Sequence, residues 1–170
     1  NISVAANPLI GGIINGGGTY FHGSTVNLTA IPNVGYSFVN WTENGEIVST
    51  SPDYSFTALA DRTLIANFSL NTYSVNLAAN PENGGSVSGG GSFNHGELVV
   101  VNAVNNEGYI FLNWSENGNV VSYNPEYSFT IQSNRNLIAN FQLITFNIQV
   151  SANPVTGGFV GGGGTYNYGQ

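Results

Sequence analysis

The chain has 170 residues, with 2 Lys or Arg against 9 Asp or Glu, no Cys and no Met, and a net charge of −7. A surface so poor in cations does not neutralise phosphates or hold an acidic bilayer, which argues against nucleic acid and anionic membrane as partners; without Cys there is no disulfide, zinc–thiolate site or thiol nucleophile. Hydrophobic residues at 41% and aromatics at 12% are too abundant for disorder, while no apolar run reaches the ~18 residues of a spanning helix and no signal-peptide pattern opens the chain. In chain order, short β-branched and aromatic runs bounded by Gly, Asn and Pro predict strands over residues 2–6, 12–14, 25–31, 37–42, 46–48, 53–57 and 64–70. Asn44-Gly45 between two of these runs is the signal of a two-residue hairpin, because a type I′ turn needs φ > 0 at both central residues. No window keeps helical spacing of apolar residues for three turns, so the expected class is all-β with little or no helix. The expected core of this first stretch is Tyr36, Phe38, Trp41, Tyr54, Phe56, Leu64 and Phe68.

Beyond residue 70 the same elements return. Ala5-Ala6-Asn7-Pro8 recurs as Ala78-Ala79-Asn80-Pro81 and as Ser151-Ala152-Asn153-Pro154, a spacing of 73 residues each time and without a gap. Trp41 falls on Trp114, His22 on His95 and Arg62 on Arg135, so the only two basic residues are one repeat position printed twice. Gly16-Gly17-Gly18 returns as Gly89-Gly90-Gly91 and Gly162-Gly163-Gly164. Fixed self-similarity of this kind is the mark of a repeat architecture. The expected organisation is a repeat domain over 1–70, a second over 71–143 and a truncated third over 144–170. The connectors 69–72 and 142–145 hold no Pro, Gly or charge run, unlike a flexible Gly/Ser linker, so little freedom is expected between copies. A unit of about 70 residues is near the lower limit for a self-sufficient core, and stacking on a neighbour is the expected supplement. The truncated third copy is not expected to complete a core alone. The absence of Met even at position 1 suggests a piece of something longer.

The order of motifs carries a resemblance. A strand ending in Asn-Pro leads to Gly-Gly and a glycine triplet; then come Gly35-Tyr36-Ser37-Phe38-Val39-Asn40-Trp41, Asn44-Gly45, Tyr54-Ser55-Phe56-Thr57 and Leu64-Ile65-Ala66-Asn67-Phe68, all recurring in the second copy. In this the chain resembles the divergent InlB B-repeat family, also called bacterial repeat domains. The resemblance implies tandem units of large secreted or surface-anchored bacterial proteins and a β-grasp-like topology; the residues by themselves fit a small antiparallel sandwich equally well. It brings no catalytic residue to transfer.

Candidate chemistry is sparse. Glu43/Glu116 and Asp53/Glu126 are acidic in both copies and suit a surface ion pair with Arg62/Arg135 of small energetic weight; paired-carboxylate catalysis would need them together in one pocket. His22 and His95 have no ligand-type partners at metal spacing, and position 168 is Tyr, which fits packing or a loop edge better than a metal site. The glycine triplets lack the Lys and the helix of a phosphate cradle and read as bulges or wide turns. The remaining candidates are aromatics: Trp41, Tyr20 and Tyr54 with Trp114, Phe93 and Tyr127 could form a sugar-stacking face, against the commoner reading of such a Trp as core.

The functional expectation is a non-catalytic stalk or spacer module of an extracellular or cell-surface bacterial protein, adhesin-like, whose partners are the neighbouring repeats of its own chain. It needs no cofactor and no metal, and has no catalytic residues. The alternative is a glycan- or protein-binding module using the surface aromatics; burial of Trp41 and Trp114 decides between the two.

Overall fold

The computed structural model describes all residues from Asn1 to Gln170. The first repeat runs through β1 (Ile2–Asn7), β2 (Gly12–Asn15), β3 (Thr25–Pro32), β4 (Tyr36–Glu43), β5 (Glu46–Ser49), β6 (Asp53–Thr57) and β7 (Arg62–Leu70). The second runs through β8 (Thr72–Asn80), β9 (Gly85–Ser88), β10 (Gly91–Asn94), β11 (Leu98–Asn105), β12 (Tyr109–Glu116), β13 (Asn119–Ser122), β14 (Glu126–Thr130) and β15 (Arg135–Leu143). A hairpin of β16 (Thr145–Ile148) and β17 (Gly164–Asn167) follows. Apart from three short 3-10 turns, each after a cis Asn-Pro bond, no helix is present. The all-β expectation holds, and every strand predicted for the first repeat is found, with bounds within two residues. β10 carries no strand signal in the sequence, because it begins in a glycine run. By compactness the chain divides into two units, Asn1–Thr72 with Asn94–Gly96, and Tyr73–Phe93 with Glu97–Gln170.

In the first unit, a four-stranded sheet of order β1-β7-β4-β5 and a three-stranded sheet of order β2-β3-β6 enclose one core. Alternation sets the inward faces, since successive side chains of a strand point to opposite sides. β3 contributes Val26, Leu28 and Ala30 and β7 contributes Leu64, Ala66 and Phe68, joined by Ile2, Trp41 and Ala58. Tyr36, Phe38, Tyr54 and Phe56 are only half-buried and pack around it. Most pairings are antiparallel, but β1 lies parallel to β7, from Ile2 opposite Arg62 to Asn7 opposite Asn67. A purely antiparallel sandwich is thereby corrected to a mixed one: the chain enters and leaves the same sheet in the same direction, with the other sheet contained in the crossover between them.

One local device explains the Phe-x-x-Trp motif. In a regular strand Phe38 and Trp41 would face opposite sides. The pairing of β4 with β7 passes from Phe38 opposite Phe68 to Asn40 opposite Asn67, leaving Val39 as an extra, bulged residue. The shift turns both rings inward, with centroids 6.0 Å apart. The second unit repeats the arrangement, with sheets β10-β8-β15-β12-β13 and β14-β11-β9 around Val75, Val99, Val101, Ala103, Trp114, Ile131, Leu137, Ala139 and Phe141. There the bulge falls between Phe111 and Asn113. The predicted hairpin turn is also present, with φ 52° at Asn44 and 88° at Gly45.

No residue of 144–170 is buried. Ile148 is 47% exposed, whereas Ile2 and Val75, at the same repeat position, are each 2% exposed. The fragment thus forms a hairpin without a core.

Close packing sets a limit at Gly12. Its backbone is extended, φ 179°, a conformation open to any residue. A Cβ there would fall 2.4 Å from the Phe68 ring and 2.6 Å from the Ile31 carbonyl oxygen. Gly12→Ala is therefore expected to cost about 1–3 kcal/mol through overpacking alone, read as a lower urea midpoint at unchanged slope.

Candidate functional site

The most concentrated polar chemistry in each repeat lies where the two sheets meet beside the core. Arg62 opens β7 and Glu43 closes β4, so antiparallel pairing brings them to the same end of the sheet. The guanidinium grips the carboxylate from two nitrogens, Nη2 to Oε2 at 2.7 Å and Nε to Oε1 at 3.0 Å. Its Nη1 donates to the Tyr54 hydroxyl at 3.3 Å, and its Cζ lies 4.2 Å from the centre of the Phe56 ring. Tyr54 and Phe56 belong to β6 of the other sheet, so this is a clamp between sheets. The second repeat copies it: Arg135 meets Glu116 at 2.7 Å and lies 4.2 Å over Phe129.

The electrostatics follow the geometry. Hydrogen bonding to Arg62 holds the Glu43 carboxyl below the ordinary carboxylate value, against an opposing push from burial. The Arg62 guanidinium is raised, chiefly by its hydrogen bond to Glu43. For Arg135, burial opposes the charge, and the hydrogen bonds to Glu116 and Tyr127 outweigh it. The Arg62 and Glu43 side chains are 20% and 22% exposed, so the expected surface pair is half-buried. Each carboxylate is engaged by its guanidinium, and each guanidinium also lies over an aromatic ring of the opposite sheet. Asp53 lies apart from the clamp and accepts a hydrogen bond from Thr29 Oγ1 at 2.8 Å.

The candidate aromatic face does not assemble as expected. Trp41 and Trp114 are 0% exposed and donate their indole N–H groups to the Pro52 and Pro125 carbonyls at 3.2 and 2.9 Å. A ring without exposed surface cannot stack on a sugar, so their candidate role as ligand contacts is corrected to core. Tyr54 and Tyr127 are half-buried beside the clamp. Tyr20 is half-buried and donates to the Gly16 carbonyl at 2.7 Å, and Phe93 packs on the second core. His22 is exposed and His95 half-buried. No three His, Asp or Glu residues gather at one point. In the first glycine triplet, Gly18 exchanges two backbone hydrogen bonds with Ile2, at 2.7 and 2.8 Å, so its amide is committed to the sheet edge rather than free to face an anion.

Sequence reading missed an asparagine ladder on the outer face of the four-stranded sheet. Asn7 donates to Asn67 at 3.0 Å, and Asn67 donates to Asn40 at 2.8 Å and to Thr42 at 3.0 Å. Asn80, Asn140, Asn113 and Ser115 repeat it. The signal was present: every one of these Asn positions recurs at the 73-residue spacing.

The duplicated architecture has a counterpart among known families. The profile of the divergent InlB B-repeat domain matches residues 2–72 and, in tandem, residues 75–145. The chain belongs to the divergent InlB B-repeat family. This family is a repeat module associated with bacterial surface proteins, and it is not a known enzyme family. No curated protein matches the chain. Within an InlB B-repeat of this chain, the features that duplicate most faithfully are structural: the buried Trp, the bulge before it, the clamp and the asparagine ladder.

Proposed function

We propose that these InlB B-repeats serve as a non-catalytic stalk or spacer in a large secreted or cell-surface bacterial protein, adhesin-like in its overall role, with repeat domains over 1–70 and 71–143 and the start of a third over 144–170. The neighbouring repeats of the same chain are the partners this role requires. The observation that carries the reading is the duplicated clamp: the only two cationic side chains, with their glutamates, are bound up identically in a structural contact. The connector supports it. β7 ends at Leu70 and β8 starts at Thr72, and the one residue between them, Asn71, donates its N–H to the Gly35 carbonyl and accepts from the His95 N–H, each at 2.8 Å. A glycan-stacking module is the less favoured reading, since both tryptophans are inside.

The absence of native Cys permits a direct test. Ala60→Cys and Ser133→Cys introduce thiols at equivalent exposed positions of the two repeats. With dyes attached, a spacer gives one narrow distance distribution, and insertion of one further 73-residue copy between them lengthens it by a fixed increment. A broad distribution that grows as the square root of residue number, as for a flexible chain, overturns the proposal.

A further inference from the structure

In each compact unit one ring closes over a glycine at the same repeat positions. In the first unit the tip Asn94–Gly96 lies on the turn before β4. Gly35 has φ 82°, and a Cβ there would fall 2.2 Å from His95 Cδ2. The Gly35 carbonyl accepts from the Asn71 N–H, and the Asn71 carbonyl accepts from the His95 N–H, both at 2.8 Å. In the second unit Gly108 also has φ 82°, and a Cβ would fall 2.6 Å from Tyr168 Cδ1. Its carbonyl accepts from the Ile144 N–H, and the Ile144 carbonyl accepts from the Tyr168 N–H, again both at 2.8 Å. Tyr168 further donates to Glu107. The ring residue changes from His to Tyr and the middle residue from Asn to Ile, yet the backbone pattern is unchanged. What the device requires is therefore a ring, two main-chain hydrogen bonds and a residue that has positive φ and no Cβ.

The third instance of the ring position is His22. Its tip is already formed: Gly23 donates to the Ala58 carbonyl and Ala58 to the Ser24 carbonyl, both at 2.8 Å, and Gly23 has φ 83°, against 84° at Gly96 and 83° at Gly169. His22 is nevertheless exposed. Phe21 is 89% and Leu59 66% exposed beside it, at the edge of a shallow depression of about 180 Å³ that Tyr20, His22, Ala58 and Leu59 help to line. We propose that the Phe21-His22-Gly23 tip is an interaction surface whose partner is the glycine turn of another repeat of this family. His22 covers the partner's glycine, and the His22 N–H donates to the carbonyl just after the partner's last strand. This deepens the spacer reading and rests on it, since it names the contact by which one repeat recognises the next.

The test adds residues 1–73 ahead of Asn1 of the full chain, in phase with the repeat. His22 of the original chain then has the Gly35 turn of the added copy within reach. The expected result is that its imidazole signals move toward those of His95 and that its amide exchanges about tenfold more slowly than in the unextended chain. Gly35→Val in the added copy alone places a side chain where the ring would sit and returns exchange to the unextended rate, while resistance of that copy's own arginine to trypsin reports that the copy remains folded. Unchanged His22 exchange on extension overturns the proposal, as does protection that survives Gly35→Val in a folded copy. In either case a fixed length increment per copy would leave the spacer reading standing, so the two fail separately.

Discussion

Trp41→Ala is expected to unfold most of the first unit and to spare the second. The indole is fully buried and packs against Phe38; truncating a large buried aromatic costs about 3–5 kcal/mol. A unit of about 70 residues has roughly 4–10 kcal/mol of net stability at typical values per residue, so most of it is lost. The cavity dominates over the lost hydrogen bond, because the Pro52 carbonyl keeps a second donor, the Ala30 N–H at 3.0 Å. The composition supplies a readout resolved by unit. Trypsin can cut only after Arg62 and Arg135, the sole basic residues, and each guanidinium is held in its own clamp. In the Trp41→Ala chain, cleavage after Arg62 accelerates and cleavage after Arg135 does not. Trp114 is then the only tryptophan, and its denaturation midpoint stays where it was. Equal resistance at both arginines would contradict the role given to Trp41.

The parts of this structure that were legible in the sequence are those written locally. Asn44-Gly45 names its turn, and β-branched runs between Gly and Pro name their strands, because both depend on backbone preferences of a few adjacent residues. The 73-residue repeat then doubles each signal. What escaped depends on pairing. The parallel alignment of β1 with β7 joins residues 60 positions apart, and nothing near Ile2 or Arg62 specifies direction. Val39 looks like an ordinary strand residue, and its bulge is visible only once β4 is aligned against β7. Of the rings expected in the core Trp41 and Phe68 are buried, yet Val26, Leu28, Ala30 and Ala66 lie deeper than Tyr36 or Tyr54: facing sheets bring backbones close, and small or branched side chains fill the middle around Trp41 while the other rings close the edges. Glu43 and Arg62 were recognised as candidate partners by charge, but their burial arises from Tyr54 and Phe56 of the opposite sheet.

That burial makes the clamp the second large effect. Glu43→Gln leaves the Arg62 guanidinium, 20% exposed, without its counter-charge. Breaking a fully buried pair costs about 3–5 kcal/mol; residual solvent screening lowers the expectation here to about 1–3 kcal/mol. The sign of the pH dependence follows from the depressed Glu43 carboxyl. Its folded state binds the proton less readily than the unfolded chain, so the contribution is fully present above the ordinary carboxylate value of about 4.3 and is lost as pH falls below it through the folded value. The wild-type first unit should therefore lose stability more steeply than the Glu43→Gln variant as pH falls below about 4.3, in urea titrations followed by Trp41 fluorescence in a Trp114→Phe background. Replacing both partners by apolar groups of similar volume, Glu43→Leu with Arg62→Met, removes the unpaired charge and is expected to recover much of the single-variant loss, since such exchanges are often neutral or stabilising. The double-mutant cycle of Glu43→Leu and Arg62→Met then yields a coupling of about 1–3 kcal/mol. Strictly additive losses would mean that the two side chains act independently. The contribution of Arg62 to joining the sheets would then rest on its contacts with Tyr54 and Phe56.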